Sequence, residues 1–267
     1  MGAYAPSIPA IGTLWLREVR AFVRTRSRVI GALATPVVFW FLFGSGIGRT
    51  FVLPGSTEPT AYFEFFFPGA MAMVVLFTAI FATISLIEDR HEGFLQSVLV
   101  APIHRADIVM GKVLGGTTLA LGQALIFLCF APFIGFRPGL EALVLTIALL
   151  ALIGFGLTSL GFYFAWKLDS VQGYHSIMNL VLFPMWFLSG ALFPIDGAAP
   201  WLRYVMYANP LTYGVAGLRH LQYLGRADAP AMAIGWPLAV GVTAAFALVT
   251  FLAAVLATIR SAEKTLT

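Results

Sequence analysis

Charge is scarce in this sequence. Only 10% of its 267 residues are Asp, Glu, Lys or Arg, against 60% hydrophobic residues and a mean hydropathy of +0.90. So few polar side chains cannot cover a soluble globular domain, which excludes that class and leaves a polytopic membrane protein. Cysteine is nearly absent. Cys129 stands alone, so neither an intramolecular disulfide nor a C-x-x-C motif can form, and its apolar surroundings predict a small buried hydrophobe. The four histidines, His91, His104, His175 and His220, are scattered, which argues against a metal site. There is no G-x-x-x-x-G-K-[ST] run: Gly111-Lys112 is followed by Val113 and preceded by no phosphate-cradling loop, so the chain has no P-loop for ATP. No cluster of acid, base or nucleophile marks a membrane enzyme. No charged residue stands at the middle of an apolar run, which counts against an ion-coupled carrier. The first ten residues lack a basic region leading into an apolar core, and Ser7 falls one position too late for myristoylation, so neither a cleaved signal nor that anchor is expected.

What is abundant is long apolar sequence. Six stretches of about 20 residues or more can cross a hydrocarbon core, at roughly 29–48, 66–87, 108–134, 140–166, 173–193 and 232–259. Residues 1–28 precede them as an amphipathic cytoplasmic segment, and residues 29–263 form the transmembrane domain. In the first segment Ile11, Leu14, Trp15, Val19, Phe22 and Val23 share one helical face, while Arg17, Arg20, Arg24 and Arg28 share the other, the pattern of a helix lying along the membrane surface among lipid headgroups. Arg26 falls on the apolar side, to snorkel or to meet a partner. Residues 49–67, with Pro54, Gly55, Glu58, Pro59 and Glu64, read as a loop. A tight turn at Gly135–Gly139 makes spans three and four antiparallel neighbours. His175 and Asn179 lie four apart on one face of the fifth span, for a helix–helix hydrogen bond or a cargo contact. Six spans put both termini on one side. Arg49, Arg137, Arg203, Arg219 and Arg226 fall on the other side and the remaining eleven lysines and arginines on that of the termini, so the termini are cytoplasmic and the charge reports topology, not a nucleic-acid partner.

Two stretches break the apolar pattern. Glu88 to Pro102 (E-D-R-H-E-G-F-L-Q-S-V-L-V-A-P) is a polar island between two spans. At about 100° per residue Phe94, Leu95, Val98 and Leu99 share one arc and Asp89, Glu92, Gly93 and Gln96 the other, which predicts a short amphipathic helix ended by Pro102. It serves either to dock a soluble partner or simply as a surface helix. The second stretch, 194–230, is neither span nor ordinary loop. Its aromatics Trp201, Tyr204, Tyr207, Tyr213 and Tyr223 suit the headgroup level and Asn209-Pro210 punctuates it, so we expect broken helices dipping into the outer leaflet around a cavity or its lid.

The cytoplasmic island resembles the motif of type-2 ABC exporter permeases, with Glu88, Gly93 and Pro102 in the places of the family's glutamate, glycine and proline. F-L-S-G-A-L-F-P (Phe187 to Pro194), P-W-L (Pro200 to Leu202), N-P-L-T-Y (Asn209 to Tyr213) and Arg219 resemble the family's fifth span and external re-entrant region, most of all in the drug-resistance and nodulation-factor export permeases. The resemblance implies a permease subunit in the cytoplasmic membrane, paired as a homodimer or with a sister permease, that moves a hydrophobic or amphipathic drug, lipid, glycolipid or polysaccharide precursor. A separate ABC ATPase subunit would hold ATP and magnesium; this chain would bind no cofactor. Glu88, Arg90, Glu92, Gly93 and Pro102 would couple to that ATPase, Arg17, Arg20 and Arg24 would form an elbow touching it, and Asn209, Pro210, Tyr213 and Arg219 would serve an external gate. A stand-alone secondary transporter or channel is the competing expectation.

Overall fold

The computed structural model describes residues 7–47, 62–226, 229 and 232–265, and among these every regular element is helical. The order is α1 (Ile8–Arg24), α2 (Arg26–Ile47), α3 (Tyr62–His91), α4 (Phe94–Val100), α5 (Arg105–Leu128), α6 (Leu140–Lys167), α7 (Val171–Trp186), α8 (Pro200–Ala208), α9 (Pro210–Gln222) and α10 (Trp236–Thr265). Most of the loop expected at 49–67, and the end of the 194–230 stretch, lie outside the described residues.

The sheath is built around α3. Its apolar residues fall on every side, so it is stable only when surrounded, and it is buried along its length from Tyr62 to Asp89. Helices α2, α5, α6, α7 and α9 pack on it. At 30 residues it is about 45 Å long, which exceeds a hydrocarbon core of about 30 Å. The surplus carries its polar end, Ser85 to His91. Small residues set the close approaches: a Cβ on Gly116 of α5 would lie 2.5 Å from the Thr158 methyl of α6, and one on Gly69 of α3 would lie 2.5 Å from the Ala191 Cβ. By contrast α10 and α2 expose apolar side chains such as Leu42, Leu248 and Val249, the composition of a lipid-facing surface.

Among the described residues five helices are long and apolar enough to cross a membrane: α2, α3, α5, α6 and α10. The stretch 173–193, expected as a sixth crossing, is not among them: it forms α7, whose 16 residues give about 24 Å, continued by a π turn over Phe187–Ala191. Leu188 and Gly190 leave helical geometry there, with Gly190 at φ 76°, and Pro184 has already removed one donor from the ladder. Cys129 departs from expectation: at the C-terminal cap of α5 it points outward and is exposed.

The Gly69–Ala191 contact predicts its own test. Gly69→Ala places a methyl 2.8 Å from the Ala191 Cα, backbone that cannot yield cheaply, and should cost about 1–3 kcal/mol. Thermal unfolding in detergent should show the loss, with partial recovery in the Gly69→Ala/Ala191→Gly double variant; an unchanged melting temperature would refute the contact.

Candidate functional site

The polar island is two elements rather than one. Glu88 to His91 are the last turn of α3, and the short helix α4 begins only at Phe94. Gly93 makes the corner in the left-handed region, φ 76°, where a Cβ is disfavoured. A Cβ on Gly93 would meet nothing within 4 Å, so within this chain the glycine answers a backbone need and not a close approach. Leu95 of α4 is buried, while Glu92, Gln96, Ser97 and Val100 are exposed. Pro102, also exposed, lies in the turn between α4 and α5.

Two carboxylates of the island, Glu88 and Asp89, are taken by arginines of neighbouring helices. Arg17 of α1 forks onto Asp89, with Nη1 to Oδ2 at 2.8 Å and Nη2 to Oδ1 at 2.5 Å, and its guanidinium carbon sits 3.6 Å from the centre of the Phe94 ring. Burial works against the charge on Arg17, but the hydrogen bonds to Asp89 and the charges of Asp89, Glu18 and Glu92 outweigh it and raise its pKa. Arg28, at the start of α2, pairs with Glu88. Arg90 instead closes the end of α6: it donates to the carbonyls of Trp166 at 2.7 Å and Leu168 at 3.0 Å and pairs with Asp169 at 2.8 Å. Of the elbow arginines, Arg20 and Arg24 remain exposed.

Beneath these pairs lies a cluster that the pattern of apolar runs did not predict. Lys112 of α5 donates to Glu18 of α1 at 2.7 Å and to Asp89 of α3 at 2.5 Å, and all three side chains are 4% exposed. Glu18 also accepts from the Ser85 hydroxyl. Helix α1 can approach because Gly111 and Gly115 flank Lys112: a Cβ on Gly115 would lie 2.6 Å from the Glu18 Cβ. The helix expected along the membrane surface thus packs lengthwise on α5, and its buried stripe is Leu14, Glu18 and Phe22 while Val23 is 58% exposed. A sequence signal existed, since Glu18 stands four residues from both Leu14 and Phe22.

At the opposite end of α3, the re-entrant residues gather at the break after α7. A broken helix leaves carbonyls without partners, and each must be paired where water is excluded. Asn209 donates to the Met185 carbonyl at 2.6 Å and, through Oδ1, caps α9 by accepting from the Leu211 N–H at 3.1 Å. Thr212 donates to Leu188 at 3.2 Å, Arg219 to Gly190 at 2.9 Å and Tyr62 to Leu192 at 2.6 Å. Pro210 occupies the first turn of α9, and the Tyr213 hydroxyl donates to the Tyr207 carbonyl at 2.9 Å. Trp186 ties the same break to α3 through the Gly69 carbonyl at 2.8 Å. Arg219 also lies over the Phe65 ring, 4.3 Å from its centre. His175 and Asn179 are not joined to this network: Asn179 is exposed and His175 lies edge-on to Phe81.

Two substitutions follow from these geometries. Lys112→Met leaves Glu18 buried with only the Ser85 hydroxyl and Asp89 with Arg17 alone, and should destabilise the chain by about 3–5 kcal/mol, read as a large drop in detergent melting temperature. Asn209→Asp keeps the cap but loses the donor to Met185, whereas Asn209→Ala loses both. The expected order of stability is wild type, then Asp, then Ala, with the last about 1–3 kcal/mol below wild type; equal melting temperatures for the three would refute the assignment.

The geometry can be set beside known proteins. The chain is 28% identical over 220 residues to nodulation protein J of Rhizobium leguminosarum bv. viciae, covering 80% of this chain and 83% of that protein. It is 25% identical over 255 residues to nodulation protein J of Rhizobium meliloti strain 1021, covering 93% and 94%. A ycf38 transport permease of Cyanophora paradoxa is 27% identical over 216 residues, covering 79% and 74%. Residues 9–223, from α1 through α9, match the family described as ABC-2 type transporter. With the buried charge cluster, the short helix α4 and the fastened break all inside the matched region, the chain belongs to the ABC-2 type transporter family.

Proposed function

We propose that this chain is the membrane-embedded permease subunit of an ATP-driven exporter, two copies of which form a homodimer in the cytoplasmic membrane with both termini on the cytoplasmic side. Each copy engages a separate ATPase subunit, which supplies ATP and magnesium; the permease hydrolyses nothing itself. The observation that carries this reading is α4. It is a short helix set at a glycine corner between two long apolar helices, its apolar side seated on α3 and its Gln96 and Ser97 side free, with Glu92 exposed just before the corner, in a chain without a P-loop of its own. The motor pushes on α4, and the bundle passes between two packings as a rigid-body switch. Asn209 and Arg219, which fasten the break after α7, and Pro210 and Tyr213, which shape the start of α9 beside it, make that region the external gate. The cargo is hydrophobic or amphipathic, a drug, a lipid or a glycolipid or polysaccharide precursor, in keeping with an interior of aromatic and aliphatic side chains and with the nodulation protein J relatives.

The experiment is co-purification in mild detergent of tagged wild type beside a Glu92→Lys/Gln96→Lys variant. Both side chains are exposed, and Glu92 acts on Arg17 only through its charge, which the Asp89 fork outweighs, so the variant should fold and insert normally. Wild type should bring down an ATPase subunit and the variant little or none. An ATPase captured equally by both would remove α4 as the docking element, and none captured by either would remove the motor.

A further inference from the structure

Glu88 and Asp89 are adjacent on the last turn of α3, so their side chains leave the helix about 100° apart. Each is taken by an arginine from a different helix, Asp89 by Arg17 of α1 and Glu88 by Arg28 of α2. These two arginines lie on either side of Thr25, the residue at which α1 ends and α2 is about to begin. The α1–α2 elbow is therefore held at two points, one on each side of its bend, by the turn that leads into Gly93 and α4. Lys112 adds a third point by joining Glu18 to Asp89, and Arg17 adds a fourth by lying on the Phe94 ring, the first residue of α4.

We propose that Glu88 and Asp89 are positioning residues that clamp the elbow to the coupling segment, so that α4, α1 and the start of α2 move as one body, and that the motor is met by Glu92 and Gln96 instead. Resting on the motor reading above, this takes Glu88 out of the docking contact. A push on α4 then reaches α2 directly through the elbow, in parallel with the covalent path through α3 and α5. The Arg28–Glu88 pair is the partly open member, with side chains 20% and 40% exposed, and can be changed without stranding a charge in the interior. Asp89, at 4%, cannot.

The test is a charge swap. Glu88→Arg and Arg28→Glu each place like charges together; the double variant restores an opposite pair in reverse order. With Cys129→Ser as background, spin labels at Ala21 of α1 and Ser97 of α4, both exposed, report the distance between elbow and coupling helix in full-length chain in lipid nanodiscs. Wild type and the double variant should give one narrow distribution and each single variant a broadened or shifted one. In unlabelled chains, ATPase co-purification should survive in all four. Single variants as narrow as wild type, or a double variant that does not recover, would overturn the clamp. Loss of the ATPase in Glu88→Arg without recovery in the double variant would return Glu88 to the motor. If wild type captured no ATPase, the motor reading would fail while the distances still judged the clamp.

Discussion

One ammonium group organises the end of the bundle that carries α1 and α4. Lys112 is buried beside two carboxylates from two other helices, and such a group is tolerated only when its partners are held in place. That requirement fixes the rotation of α1 about its own axis, because Glu18 must face α5. It fixes the depth of α1 as well, because the approach is possible only at Gly111 and Gly115. Once α1 is so placed, Arg17 falls on Asp89 and Phe94, and the start of α2 falls beside Glu88. A purely apolar seam would permit the helices to slide or turn past one another; a neutral set of paired charges in a dry site allows one register.

The opposite end of the bundle solves a different problem. There the chain must turn back within an apolar environment, and the difficulty is backbone carbonyls without donors. Met185, Leu188, Gly190 and Leu192 each receive a side-chain donor, from Asn209, Thr212, Arg219 and Tyr62. These donors come from α9 and from the first residue of α3, so the break, the re-entrant helices and the central helix share one hydrogen-bond network. Arg219 takes carbonyls and an aromatic face as its partners, a weaker set than a carboxylate and one that a small displacement of α9 would change. The two ends of the bundle are thus fastened differently, one by paired charges and the other by side-chain donors to free carbonyls.

Much of this was legible in the residues. Long apolar runs located α2, α3, α5, α6 and α10, and the polar island and N-P-L-T-Y were visible as interruptions of them. The resemblance carried by Glu88, Gly93, Pro102 and the Phe187–Pro194 stretch led to the family that residues 9–223 match. The break after Trp186 was not legible, because its run of apolar residues reads as one span and only Gly190, at positive φ, betrays the turn. Nor was the inward direction of Glu88 and Asp89. Periodicity places side chains around one helix, and the last turn of α3 and the body of α4 do not share an axis once Gly93 intervenes. Lys112 was read only for what it lacked, a phosphate loop, although a lysine between two glycines four apart marks a helix that another must approach closely.

Cys129 gives the fold an experimental handle. It is the single thiol of the sequence, it is exposed, and it caps the end of α5 remote from Lys112, about 25 Å along the helix from that residue. Lys112 anchors one end of a stiff rod and Cys129 marks the other, so a small tilt at the charged end is magnified at the thiol. A fluorophore attached there to the otherwise native chain turns α5 into a pointer for movements that begin at the end of the bundle anchored by Lys112.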